Sequence, residues 1–276
     1  MTCAAHDLAT AGRGFGALLT LPTAQAKAAK GLAHNVRTAM LHLAPADLAD
    51  ARSVCPWSTA GCRAACLHTA GRGGIGASAD GRSGNRVIDA RMARTRFFWR
   101  DRDAFVALLE EEWRRFRVSV ARRGLGETWI LRPNATSDIA WESIAPQIVK
   151  LGAYDYTKSQ KRALREAASR RGEDDAWPVE YSLTYSASER DSHMDIVHLM
   201  DKGVGVAMVF DAATHARILA MGRWRAKKVV DGDAHDLRYL DRVEHGIHPR
   251  DGYLVALRAK GRAKADASGF VRRSIP

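Results

Sequence analysis

Val204-Gly205-Val206-Ala207-Met208-Val209-Phe210 is an unbroken apolar run, and Ala212 to Met221 directly after it has helical composition. A short apolar run rich in valine reads as a buried strand, and a helix following it makes half of a βαβ unit. The same couplet recurs. Thr128 to Arg132 is a strand and Ser143 to Leu151 a helix. Ala153 to Tyr156 is a strand and Ser159 to Arg171 a helix. Val179 to Tyr185 is a strand and Met194 to Lys202 a helix. Lys228 to Val230 and Tyr253 to Leu257 read as further strands. Val36 to Leu43 is an earlier one, stopped by Pro45.

Strands alternating with helices of this length predict parallel βαβ units. No linker rich in Pro, Gly or Ser interrupts them. The expectation is a single α/β domain over residues 36–257, a partial (β/α) barrel of about six parallel strands. Two helices, Arg86 to Trp99 and Asp103 to Arg122, precede the regular alternation. The second carries Phe105, Leu108, Leu109, Trp113, Phe116 and Val120 on one stripe, the spacing of a core-facing helix. Residues 1–35 read as a partly ordered arm. Residues 258–276 read as a basic tail without helix or strand signal.

The chain has 276 residues, 46% hydrophobic and 27% charged, which describes an ordinary globular protein. No stretch is long and apolar enough to cross a bilayer, so no membrane partner is expected. Met1 to Thr20 lacks the pattern of a secretory signal, and the expected compartment is the reducing cytoplasm of a bacterial host cell. The net charge of +12 would attract polyanions, nucleic acid among them. The bland account is a solvated basic face on helices, as in Arg114-Arg115-Phe116-Arg117.

Three of the four cysteines, Cys55, Cys62 and Cys66, fall within twelve residues as C-x6-C-x3-C, after the first core strand. In a reducing compartment, clustered thiols point to metal or catalysis and away from disulfides. Three thiolates suit an iron–sulfur cluster with one position left for another ligand. Zinc is the alternative, with His68 or His42 as the fourth donor. Pro56 and Gly61 in the loop argue against cysteines that merely pack as small hydrophobes.

Ligands of parallel α/β folds sit at the carboxyl ends of the strands. Those ends here carry Asn134 to Asp138, then Asp155 with Lys158, then Ser186, Ser188 and Glu189, then Asp211, and last the run Asp231 to Arg238. Some will be helix caps. Asp138, Lys158, Glu189 and Asp233 are the candidate catalytic or ligand-orienting residues, and Lys158 would meet an anionic ligand. Its bland partners are Asp155 and Asp138. Asp231, Asp233 and Asp236 have the residue types of a Mg²⁺ site, against a tight turn at Gly232. Gly71-Arg72-Gly73-Gly74-Ile75-Gly76 matches G-x-G-x-x-G but follows no strand, so the dinucleotide reading lacks its context. Gly71 and Gly73 are read instead as close-approach positions beside a cofactor. Trp99, Trp113 and Trp129 read as core, and His193, His198, His215 and His245 as surface.

The segments Cys55 to Leu67, Ala70 to Gly73, Ser137 to Ile139, Tyr154 to Lys158 and Asp231 to Asp233 together resemble the phage "gene product 88" domain family. The resemblance runs from about residue 36 to residue 271 and implies a phage or mobile-element protein. It indicates a relative and not a reaction. The chain is also distantly similar to radical SAM enzymes, which hold a [4Fe–4S] cluster by three cysteines after the first strand of a partial barrel. Their spacing is C-x3-C-x2-C. That similarity makes SAM a candidate cofactor and places Ser186, Ser188 and Glu189 as its contacts. The function expected is an iron–sulfur protein with a polar pocket over the cluster and radical-SAM-like or redox chemistry. The alternatives are a zinc-stabilised nucleic-acid accessory protein and a Mg²⁺-dependent nuclease.

Overall fold

A computed structural model describes residues 14–22, 29–46, 48–49, 52–69, 71–78, 83–174 and 180–275. The chain divides into two compact units. The first comprises residues 1–56 and 68–152; the second comprises 57–67 and 153–276.

In the first unit, strand β1 (Leu19–Thr20) runs antiparallel to β2 (Val36–Leu41), which runs parallel to β3 (Thr128–Arg132). The register sets Val36 opposite Thr128 and Met40 opposite Arg132. Helices α2 (Arg86–Arg100) and α3 (Arg102–Ala121) lie between β2 and β3 in sequence, close to the expected limits. Asp101 separates them and caps α3 by accepting from Ala104 N–H at 3.0 Å. The α3 stripe is buried as its spacing required. Phe98 meets Phe105 edge-on and tilts against Trp141. Trp113 is core, whereas Trp99 and Trp129 are only half-buried.

Part of the N-terminal arm is built into this unit. The Glu112 carboxylate, buried on α3, accepts from Leu18 N–H and Leu19 N–H, both at 2.9 Å. Arg94 donates to Ala17 O. Residues 1–13 and 23–28 of the expected arm lie outside the described residues. After β3, the single helix expected over Ser143 to Leu151 is two short ones, α4 (Trp141–Ile144) and α5 (Pro146–Val149). Pro146 has no N–H to continue a helix and suits the first turn of a new one.

In the second unit, α1 (Ala60–Ala64) comes first in the chain. The strands are β4 (Ala153–Thr157), β5 (Tyr181–Ser186), β6 (Gly205–Phe210), β7 (Arg223–Trp224), β8 (Lys227–Asp231), β9 (Tyr253–Arg258) and β10 (Val271–Arg272). Their order is β4-β5-β6-β9-β8-β7. Every pair is parallel except the β7–β8 hairpin. Helices α6 (Gln160–Ser169), α7 (His193–Asp201) and α8 (Ala212–Met221) make the crossovers. The α/β class and the parallel ladder are thus as the alternation predicts. The ladder is open: its path in this unit ends at β4 and β7, and no pairing among the described residues closes it into a ring. Of the expected strand Val179 to Tyr185, Val179 lies outside the described residues.

The helix boundaries follow from their caps. Ser159 caps α6 by accepting from Arg162 N–H, and Ser192 and Asp195 form a reciprocal capping box on α7. Asp211 caps α8, and Gly222 ends it in the left-handed conformation with φ of 63°. One face of these helices packs on the sheet through Ala163, Ala167, Ile196, Leu199, Met200 and Ile218.

The C-terminal tail departs from expectation. It holds β10, which pairs in parallel with β6, Val271 opposite Val209. Strand β5 pairs with β6 only at Val206 and Ala207, so the later residues of β6 are left for β10. Two residues are too few to leave a periodic signal in the sequence. Among the described residues, no helix is long and apolar enough to cross a membrane.

Candidate functional site

Cys62 and Cys66 belong to the second unit, and α1 positions them. Thr59 is the N-cap: its hydroxyl oxygen accepts from Cys62 N–H at 3.2 Å. Cys66 follows the C-cap Ala65 and donates its N–H to Arg63 O. The two cysteines are four residues apart, Cys62 within the helix and Cys66 just past its C-cap.

Glu189, just beyond the carboxyl end of β5, fixes this short helix. Its Oε2 accepts from Thr59 Oγ1 at 2.7 Å, and its Oε1 accepts from Gly61 N–H at 2.9 Å. Burial pushes the Glu189 carboxyl up, but the bonds from Thr59 and Gly61 and the nearby Lys158 charge outweigh it. They hold it below the usual carboxylate range. A Cβ at Gly61 would collide with Ser268 Oγ and the Glu189 carboxylate, so a larger residue here would push the Glu189 carboxylate off the helix start. Ala65 packs with Ala259, Ala263 and Val271, so the ordered tail forms a wall beside the cysteine helix. Trp57 is stacked by the Arg162 guanidinium at 5.3 Å.

The other strand-end residues of this unit are engaged locally. Lys158 donates to Ser186 O at 3.0 Å, Ser186 Oγ at 3.1 Å and Ala187 O at 3.2 Å, and its ammonium lies over the Phe270 ring. Asp155 accepts from Tyr181 O–H at 2.7 Å. Ser188 donates both N–H and O–H to Asp191, which also accepts from Tyr185 and Gln160. Arg272 of β10 clamps the same turn by donating to Ser188 O and Asp191 O.

Asp233 accepts from Arg258 N–H at 3.0 Å and pairs with Lys260 at 2.5 Å. Burial pushes its carboxyl up. The Lys260 and Arg258 bonds and the Lys260 charge hold it below the usual range. His215, read from sequence as a surface residue, is buried and lies beside Asp231 and Asp233. Asp236, expected with those two, is buried and accepts from Tyr154 O–H instead.

In the first unit, Cys55 sits by the loops that leave β2 and β3. Its sulfur accepts from Ala46 N–H at 3.3 Å and lies 3.9 Å from Thr136 O. None of Cys55, Cys62 and Cys66 is in a disulfide. Asn134 organises the β3 end: its Oδ1 accepts hydrogen bonds from Ser137 O–H, Ile139 N–H and Trp141 Nε1–H. Asp138 is buried, and its N–H bonds to Val54 O beside Cys55.

His42 is buried close to Arg91, Arg132 and Arg94. Burial, with those three positive charges, pushes its pKa down to about 3, so the imidazole is neutral at any ordinary pH. His68 is buried too, and its carbonyl accepts from Arg91. Gly71 and Gly73 bound a single 3-10 turn. A Cβ at Gly73 would strike the His68 carbonyl. Asn85, the N-cap of α2, gathers the carbonyls of Gly73 and Ile75, so this loop is folded against the helix start.

A family model described as Gene product 88 matches residues 18–274. The chain belongs to the gene product 88 family. No curated protein and no solved structure matches it. In this family member, Thr59, Lys260 and Arg272 make contacts to which motif reading assigned no role, and His215 is one it placed at the surface. Thr59 had a visible signal, a threonine three residues before a helical cysteine. His215 had none, because its partners Asp231 and Asp233 follow a further strand pair in the chain.

Proposed function

We propose that this gene product 88 family member binds an iron–sulfur cluster, of the [4Fe–4S] kind, through the thiolates of Cys55, Cys62 and Cys66. The observation that carries the reading is the anchored α1. Cys62 stands on, and Cys66 just past the end of, a short helix pinned at its start by Glu189 and walled by the tail. Such effort at a short exposed helix makes sense where side chains must hold still for a ligand. The Ala46 N–H directed at the Cys55 sulfur is a donor of the kind that supports a ligating sulfur.

A bound cluster would supply electron transfer or an open iron position. The protein's part is to fix the thiolates and the charge around them. Lys158, near the Glu189 carboxylate, is the cation that an anionic ligand at the strand ends would meet. A curled partial barrel with SAM bound at Ser186 and Ser188 is the finer form of this reading. Ser186 already serves Lys158 and Ser188 already serves Asp191. We therefore place the weight on the cluster and not on SAM.

A second reading is zinc as a structural clip in a nucleic-acid accessory protein. It is favoured by His42, whose permanently neutral imidazole is a competent fourth donor. The deciding experiment is anaerobic purification with iron, zinc and acid-labile sulfide quantified per chain, for the wild type and Cys62→Ser. Iron with sulfide and a visible thiolate-to-iron absorption, lost in Cys62→Ser, supports the cluster. One zinc without sulfide, with DNA affinity that falls steeply with salt, replaces it by the second reading. Neither metal in the wild type ends both.

A further inference from the structure

The carboxyl edge of β8 and β9 gathers a nitrogen and carboxylate oxygens that no motif reading placed together. His215 stands in the first turn of α8, its N–H bonded to Asp211 O. Its Nε2 lies 3.8 Å from Asp231 Oδ1 and 3.8 Å from Asp233 Oδ2. One donor atom from each of the three residues lies within 4.8 Å of the others. The same Nε2 lies at hydrogen-bonding distance, 3.3 Å, from the Ala256 carbonyl, which its Nε2–H tautomer would use; cation binding calls for the other tautomer, with the Nε2 lone pair free. Donors bonded to one cation at about 2.1 Å are separated by about 3 to 4 Å, so the two 3.8 Å spacings from the imidazole fit a single ion.

The backbone holds this arrangement. Gly232 passes so close to β9 that a Cβ would meet Val255 Cγ1 and Leu257 Cδ2, both at 2.6 Å. Its N–H bonds to Ala256 O at 2.8 Å. Asp233 N–H then bonds to Asp231 Oδ1 at 2.8 Å, which fixes the Asp231 carboxylate over the turn, while Arg258 N–H and Lys260 hold that of Asp233. His215 is 8% exposed, so the ring nitrogen beside them is buried. A cation is already drawn to the pair: the half-exposed Lys260 ammonium sits on Asp233 Oδ1. It is tethered by a flexible stem and can swing out.

We propose that His215, Asp231 and Asp233 form a binding site for a divalent cation of the Mn²⁺ or Fe²⁺ type. Lys260 is its internal competitor. One imidazole and two carboxylates suit those ions better than Ca²⁺ or a thiolate-seeking metal. Asp231 is 43% exposed, so coordination positions on the solvent side remain for water or an anionic oxygen. The site is independent of the cysteines and stands or falls without them.

The test is Mn²⁺ titration of the full-length protein as purified, followed by electron paramagnetic resonance of the free ion. About one Mn²⁺ per chain is expected, with affinity weakened about tenfold or more in His215→Ala and in Asp233→Asn. Cys62→Ser should bind as the wild type does. Lys260→Met should bind more tightly, a gain that loss of folding cannot produce. Unchanged binding in His215→Ala and Asp233→Asn overturns the assignment. So does absence of saturable binding in both the wild type and Lys260→Met.

Discussion

Glu189→Ala is the perturbation that most directly probes how the cysteine helix is held. The change removes the acceptor for Thr59 O–H and for Gly61 N–H. Hydrogen bonds to a charged group contribute about 1.5–3 kcal/mol each when buried. Glu189 is only partly buried, so solvent screening cuts that roughly in half, to about 2 kcal/mol for the two bonds together. The loss falls on local opening of α1 before it reaches the rest of the unit. At about 1.4 kcal/mol per factor of ten, amide exchange at Gly61 and Cys62 should quicken about thirtyfold. Hydrogen exchange read on a peptide covering residues 57–67, in metal-free protein, checks this. Metal content of the loaded protein should fall in the same variant. Glu189→Gln should be intermediate, because its amide oxygen still accepts from Gly61. Exchange in the peptide indistinguishable from wild type would refute the claim that Glu189 fixes the helix.

Three further outcomes are expected. Stability should drop as pH falls from about 6.5 toward 3, because the unfolded chain protonates a histidine that the folded chain keeps neutral at position 42. The slope from that residue is at most about 1.4 kcal/mol per pH unit, and urea melts should show it flattened in His42→Gln. Gly61→Ala should destabilise the second unit, since its methyl meets Ser268 and Glu189; a melting temperature equal to wild type would contradict the packing described. Arg272→Ala should loosen the turn from Ser188 to Asp191 while leaving β9 protected, a pattern that exchange mass spectrometry can resolve.

The sequence carried most of the second unit's ladder because each element there is bounded by its own chemistry. Ala212 to Met221 matches to the residue, since Asp211 and Gly222 punctuate it. Thr128 to Arg132 matches as well. The two-residue strands did not show, and the β7–β8 turn was hidden for a particular reason. Arg225 and Ala226 both adopt positive φ, at 50° and 64°, a conformation normally advertised by Asn or Gly. Pro146 marks the break between α4 and α5, which the apolar spacing of Ser143 to Leu151 masks.

The candidate site was legible as a set of residue types and not as a set of roles. The spacing of Cys62 and Cys66 could be read directly, but Glu189 is 130 residues from Thr59, and nothing in a linear pattern ties a strand-end carboxylate to a distant helix start. The position of Lys260 on Asp233 and of His215 beside it likewise depends on how β8, β9 and α8 stack. No spacing rule encodes that.

The second unit takes eleven residues, 57–67, from far upstream in the chain. A truncated product beginning at Ala153 would therefore carry a complete ladder but a missing plug. Ala259, Ala263 and Val271 would be uncovered on one side, and Glu189 would be left without its two donors. Such a fragment should be rescued in trans by a synthetic peptide spanning Trp57 to Leu67.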